Sequence, residues 1–224
     1  MRHRLIATAL AVLAAGALAG VLVVALASGP APRPQAASSS GLVNGFYGPT
    51  APASMPPIDF SLRDLAGARV SLRGDAGEPV VIAFIDSTCT SLCPIVAQQL
   101  RGTLDELPHP VPVIAISVDP RGDTPAHVRR FLAGADLSGR VAYIAGPRAS
   151  LVPIWHFFGI QPELPAGSSS DNFSLDIELL DKTGRPRVGY TDLKELDPDA
   201  IAHDIETLAR ARLPRSAARR LLLH

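Results

Sequence analysis

The chain has 224 residues, a formal net charge of zero and 19% charged residues. That balance excludes a global field able to recruit nucleic acid or steer a charged partner. The hydrophobic content of 47% is inflated by the first 27 residues, and the stretch from Ser54 to Pro214 is long enough for one domain with a real core but not for two.

Arg2 and Arg4 precede an uncharged apolar run from Leu5 to Ala27. As a helix this run spans roughly 34 Å, enough to cross a hydrocarbon core of about 30 Å. It reads as a retained membrane anchor, with the basic residues inside and everything after Ser28 outside. A cleaved secretory signal ending at Ala25-Leu26-Ala27 is the alternative, and export follows either way. Residues 29–57 are rich in Pro, Ala, Ser and Gly, a composition that predicts a semi-extended tether. Phe46 and Tyr47 interrupt it, and composition does not decide whether they dock or stay exposed.

Residues 58–213 form the predicted domain. Val70–Leu72 and Val80–Ile85 are short apolar runs bounded by Gly, Asp and Pro, and the second has the pattern of a strand buried on both faces. Pro94–Leu107 is predicted as a helix opening at Pro94, with Ile95, Leu100, Leu104 and Leu107 near one face. Val111–Val118 is the next strand. A helix follows, capped by Asp123 or Thr124 and stopped at Gly134. Arg140–Gly146 is predicted as a strand, Ala149–Ile160 as a helix and Ile177–Thr191 as a hairpin turning at Lys182–Gly184. Asp197–Arg212 closes the domain as an amphipathic helix, ahead of a basic tail over residues 214–224. This alternation predicts an α/β, thioredoxin-like mixed sheet flanked by helices, preceded by the transmembrane helix.

Cys89 and Cys93 are the only cysteines in the chain. Cys89 falls in the loop leaving a central strand, and Cys93 falls at the expected N-cap of the next helix. Free amides and a partial positive charge at a helix N-terminus favour thiolate over thiol. Two thiols gathered there in an exported chain point to redox chemistry or metal binding rather than to core packing.

The sequence "CTSLCP" on this strand-to-helix turn, "ISVDPRGDTP" at Ile116–Pro125 and "LLDKTGR" at Leu179–Arg185 resemble the signatures of the Sco (SenC-like) family. That family comprises thioredoxin-fold proteins anchored outside the cytoplasmic membrane. The resemblance covers about Pro57–Arg212, including the opening "PIDFSLRDLAGARVSL". It implies copper handling, typically delivery to cytochrome c oxidase, with Cys89 and Cys93 as ligands and the oxidase copper-site subunit as partner. The family's third ligand is a histidine shortly before the final hairpin, and counting back from Asp181 that position holds Phe173. Phe cannot bind a metal. Two thiolates suit the soft ion Cu(I), whereas Cu(II) wants an added imidazole.

The remaining histidines offer no evident substitute by position. His3 lies ahead of the anchor, His203 and His224 are near the end of the chain, His109 falls in a loop, and His127 and His156 fall on helices. Asp86, Asp119, Asp171 and Asp176 are placed where a carboxylate could raise a thiol pKa or act as a weak oxygen ligand, although strand-end carboxylates commonly form turns. Without the histidine, a second reading is a thiol-disulfide reductase acting on the oxidase or another exported client, with Cys89 and Cys93 as its redox dithiol. A third follows from Thr90–Pro94, which also resembles the TxxC(P) of peroxiredoxins. There Asp86 stands where that pattern has proline, and its anion opposes thiolate formation.

Overall fold

The computed structural model describes residues 42–72, 77–162 and 176–212. The apolar run Leu5–Ala27, Asp171, Phe173 and the tail 214–224 lie outside the described residues. No helix among the described residues is long and apolar enough to cross a membrane.

In chain order the strands and α-helices are β1 (Ser61–Arg63), β2 (Arg69–Ser71), β3 (Val80–Ile85), α1 (Leu92–Glu106), β4 (Val113–Ser117), α2 (Pro125–Gly134), β5 (Ala142–Ile144), α3 (Arg148–Phe158), β6 (Ile177–Leu180), β7 (Pro186–Tyr190) and α4 (Pro198–Arg210). β1 and β2 form an antiparallel ribbon, and the other five strands form one sheet in the order β5-β4-β3-β6-β7. The expected mixed sheet flanked by helices is therefore present. β3 lies at its centre, parallel to β4 and antiparallel to β6.

All six residues of β3 are buried because successive side chains enter opposite cores. Val81, Ala83 and Ile85 pack with Val96, Ala97 and Leu100 of α1, Val128 and Leu132 of α2, and Ile201, Ile205 and Leu208 of α4. Val80, Ile82 and Phe84 pack with Leu151, Ile154 and Trp155 of α3. Right-handed crossovers through β3-α1-β4 and β4-α2-β5 put α1 and α2 on one face. Their N-termini consequently emerge side by side at one end of the sheet, and both motif loops lie there.

Part of the stretch read from composition as tether packs on this domain. Phe46 is buried in the first core, and Thr50 bridges Val188 along the outer side of β7. Gly189 N donates to Pro49 O at 3.0 Å and Ala51 N donates to Arg187 O at 2.9 Å, which covers an otherwise open sheet edge. Asp204 of α4, fully buried, fixes this segment. Its carboxylate accepts from Tyr47 N at 2.9 Å, Gly48 N at 2.9 Å and Tyr190 Oη at 2.7 Å. Position 48 must be glycine, since a Cβ there would lie 2.5 Å from Val188 Cγ1 and 2.6 Å from Tyr190 Cζ.

Candidate functional site

The central strand β3 ends at Ile85, and the next six residues turn the chain into α1. That helix begins two residues earlier than its proline suggested, with Ser91 rather than Cys93 as N-cap. Pro94 is still accommodated because the first amides of a helix have no intrahelical acceptor. Cys93 thus occupies the second helical position, and Cys89 occupies the turn. The Ser91 side chain makes no capping hydrogen bond to the helix; instead its Oγ lies 3.7 Å from Cys89 Sγ. The Cys93 amide donates to Cys89 Sγ at 3.4 Å. A sulfur therefore takes the place that a serine or aspartate oxygen usually fills at a helix start.

Both cysteines are free thiols and buried, at 5% and 6% exposure, yet their environments separate them. Burial pushes the Cys89 thiol up, but the amides of Cys93 and Ser91 and hydrogen bonds from both side chains outweigh it, so Cys89 is held below the ordinary thiol range. Burial pushes Cys93 well above that range; the Asp86 amide opposes this, while its bond to Cys89 and the charges of Cys89 and Asp86 add to it. The pair is thus split, with Cys89 the more readily ionised thiol and Cys93 the one kept protonated.

Two buried carboxylates shape the turn. Asp86 accepts from Thr88 N and Thr88 Oγ1, both at 2.7 Å. Asp123 accepts from Ser87 N at 2.7 Å, Ser87 Oγ at 2.5 Å and Tyr143 Oη at 2.8 Å, and Tyr143 Oη also lies 3.0 Å from Ile85 O. Asp123 is thus not the cap of α2. Thr124 is, accepting from His127 N at 3.3 Å. The aspartate of the "DTP" motif instead ties the cysteine turn to the β4–α2 loop.

A cavity of about 450 Å³ opens beside Cys89 between α1 and α2, lined by Thr88, Pro94, Gln98, His127, Arg130 and Phe131 among others. His127 Nδ1 lies 2.8 Å from Gly122 O. A carbonyl only accepts, so Nδ1 carries a proton. Sequence position alone had set His127 aside. The signal that brings it to Cys89 is the parallel pairing of β3 and β4, which places the loops after adjacent strands together.

The family model for SCO1/SenC matches residues 50–210, more than half of the chain. The chain belongs to the SCO1/SenC family. Several solved Sco structures share its fold. Apo Sco1 from Thermus thermophilus is 23% identical with a TM-score of 0.59, covering 73% of this chain and 96% of its own. BsSco, described as a member of the Sco family of cytochrome c oxidase assembly proteins with a disulfide switch, is 23% identical with a TM-score of 0.59, covering 72% and 97%. Copper-bound ScoI from Arabidopsis thaliana is 18% identical with a TM-score of 0.57, covering 69% and 98%. No curated protein matches the chain. These likenesses establish the thioredoxin-like Sco fold.

Within this SCO1/SenC domain the other candidates are scattered. Asp119 is a turn former, its Oδ1 accepting from Arg121 N at 3.2 Å. His109 and His156 are exposed, and His203 Nδ1 lies 3.1 Å from Asp204 Oδ1. Asp176 is buried on the sheet face opposite the thiols, two residues from Glu178; among the described residues Asp176 Oδ1 and Glu178 Oε2 have no hydrogen-bond partner. Burial pushes both carboxyls well up, and for Glu178 the neighbouring Asp176 charge adds to it. Among the described residues no group of three or more His, Cys, Asp or Glu is placed to hold a metal ion. Cys93, the thiol that the TxxC(P) comparison would make peroxidatic, is the one kept protonated, which opposes peroxidase chemistry.

Proposed function

We propose that this SCO1/SenC protein handles copper for cytochrome c oxidase assembly on the extracytoplasmic side of the membrane, held there by the Leu5–Ala27 helix. Family membership supports the assembly role, and the Sco structures described with copper bound support the cargo. The observation that carries the reading is the Cys89–Cys93 pair at the start of α1, with Cys89 held below the ordinary thiol range. The donor set fits Cu(I): thiolates select this soft ion, and the thiol protons leave as metal replaces them. It does not fit Cu(II), for which Phe173 supplies no imidazole. Anaerobic titration of the reduced protein should take up one Cu(I) per chain, and Cys89→Ser should abolish that uptake. No binding by the reduced wild type at micromolar copper would overturn the reading.

The separated thiols favour a second role at the same pair. A thiol held low beside one held high is the arrangement of an attacking and a resolving cysteine, and BsSco is described as carrying a disulfide switch. In this reading Cys89 attacks a disulfide of the client's copper-site cysteines, or of another exported client, and Cys93 resolves the product, leaving client thiols able to accept metal. A Cys89–Cys93 couple that fails to interconvert between dithiol and disulfide at extracytoplasmic potentials would exclude this role.

A further inference from the structure

Beside Cys89 the 450 Å³ cavity is lined by apolar Pro94, Phe131 and Ala135 together with Gln98, His127 and Arg130. Among the described residues its ionisable lining groups are Cys89, His127 and Arg130, and none of its lining residues is a carboxylate. Asp86 and Asp123 lie behind Thr88 and Ser87, occupied by the hydrogen bonds of the turn. Arg130 is exposed and has no hydrogen bond or ion pair among the described residues. Other arginines find acids, as Arg101 and Arg140 do at Asp105 and Arg210 does at Glu206, whereas among the described residues neither Arg129 nor Arg130 of α2 does, and of these two only Arg130 lines the cavity. A guanidinium and apolar side chains lining one cavity beside a cysteine sulfur have the composition of a ligand subsite, and its volume suits a few residues of peptide.

We propose that this cavity is the docking subsite for the client in thiol-disulfide exchange, and that it selects an acidic cysteine peptide: an apolar side chain beside the disulfide on Pro94, Phe131 and Ala135, and a carboxylate on Arg130. This rests on the thiol-exchange role of Cys89. The Cys89 thiolate attacks one sulfur of the client disulfide, forming the Cys89–client bond as the client S–S bond breaks. The departing client thiolate takes a proton from water. Cys93 loses its proton to water and attacks Cys89 sulfur, forming Cys89–Cys93 and releasing the second client thiolate, which is protonated in turn. Two electrons pass from the protein dithiol to the client disulfide. Arg130 takes no part in these bonds; it sets which client stays long enough to react.

The test measures second-order rates of reduction by the reduced full-length chain for three disulfides: a peptide with glutamate beside cysteine, the same peptide with lysine in that place, and uncharged 2-hydroxyethyl disulfide. Normalised to the uncharged compound, the acidic peptide should react about tenfold faster than the basic one at low salt. Arg130→Gln should erase that ratio and Arg130→Glu should invert it. Reaction with the uncharged compound but no charge preference, or a preference untouched by both variants, overturns the subsite and leaves the thiol reading standing. No reaction with any of the three overturns both.

Discussion

The backbone amide of Cys93 points at Cys89 Sγ from 3.4 Å, making one cysteine the helix cap of the other. Against burial, this contact lowers Cys89, while burial is the largest influence raising Cys93, four positions on in sequence. Stabilisation of charge on Cys89 is lost if the helix frays, and charge on Cys89 in turn opposes ionisation of Cys93.

Alkylation should report that separation directly. In Cys93→Ser the remaining thiol is expected to react with iodoacetamide with a midpoint below the ordinary thiol range of about 8.5. In Cys89→Ser the reaction should still be rising at the upper end of the accessible pH range. The reverse order would mean that burial, not the Cys93 and Ser91 amides, governs Cys89.

Asp123→Ala removes the acceptor for Ser87 N, Ser87 Oγ and Tyr143 Oη. Leaving buried donors unmatched costs about 3 kcal/mol, which for a domain of this size lowers Tm by about 6–12 °C. Calorimetry checks this, and a change under about 2 °C would show that the turn relaxes to other partners.

Much of the fold was legible because its signals are local. Val80–Ile85 is an unbroken apolar run of strand length, and the Lys182–Gly184 turn sits between two alternating runs. The cysteine turn was readable for the same reason. What was not readable depends on contacts distant in sequence. The segment around Phe46 has a tether's composition, but Asp204, 157 positions beyond Tyr47, holds it down. Asp123 looks like one of two neighbouring caps until the sheet places Ser87 and Tyr143 around it. His127 is an ordinary helical histidine until β3 and β4 pair in parallel.

The Asp204 contacts predict a selective loosening. Asp204→Ala should destabilise the domain by about 3 kcal/mol and Tyr190→Phe by about 1.5 kcal/mol. Only the first removes the acceptor for Tyr47 N and Gly48 N, so limited proteolysis around these residues should accelerate far more in Asp204→Ala. Equal cleavage rates in the two variants would contradict this.

Asp176 and Glu178 give the fold a pH dependence of definite sign. Both carboxyls are raised above their ordinary values of 3.8 and 4.5, so the folded chain binds more protons than the unfolded chain above those values. Their contribution is fully present at acid pH and is lost as pH rises through the raised range. Glu178→Gln should therefore flatten the fall in Tm between about pH 5 and 8. An unchanged slope would show that the pair does not govern it.

Phe173→His tests the ligand that the family pattern expects and this chain lacks. Cu(II) affinity should rise by about tenfold or more while Cu(I) affinity changes little, because imidazole suits Cu(II) and the thiolates already satisfy Cu(I). Equal gains for both ions would misplace position 173.

The most direct measurement is X-ray absorption at the copper edge of the Cu(I)-loaded wild-type protein. The expected spectrum is that of two-coordinate Cu(I) with two sulfur scatterers and no imidazole pattern, both sulfurs coming from Cys89 and Cys93. A first shell containing nitrogen from a histidine, or fewer than two sulfurs, would contradict a copper site built from the dithiol alone.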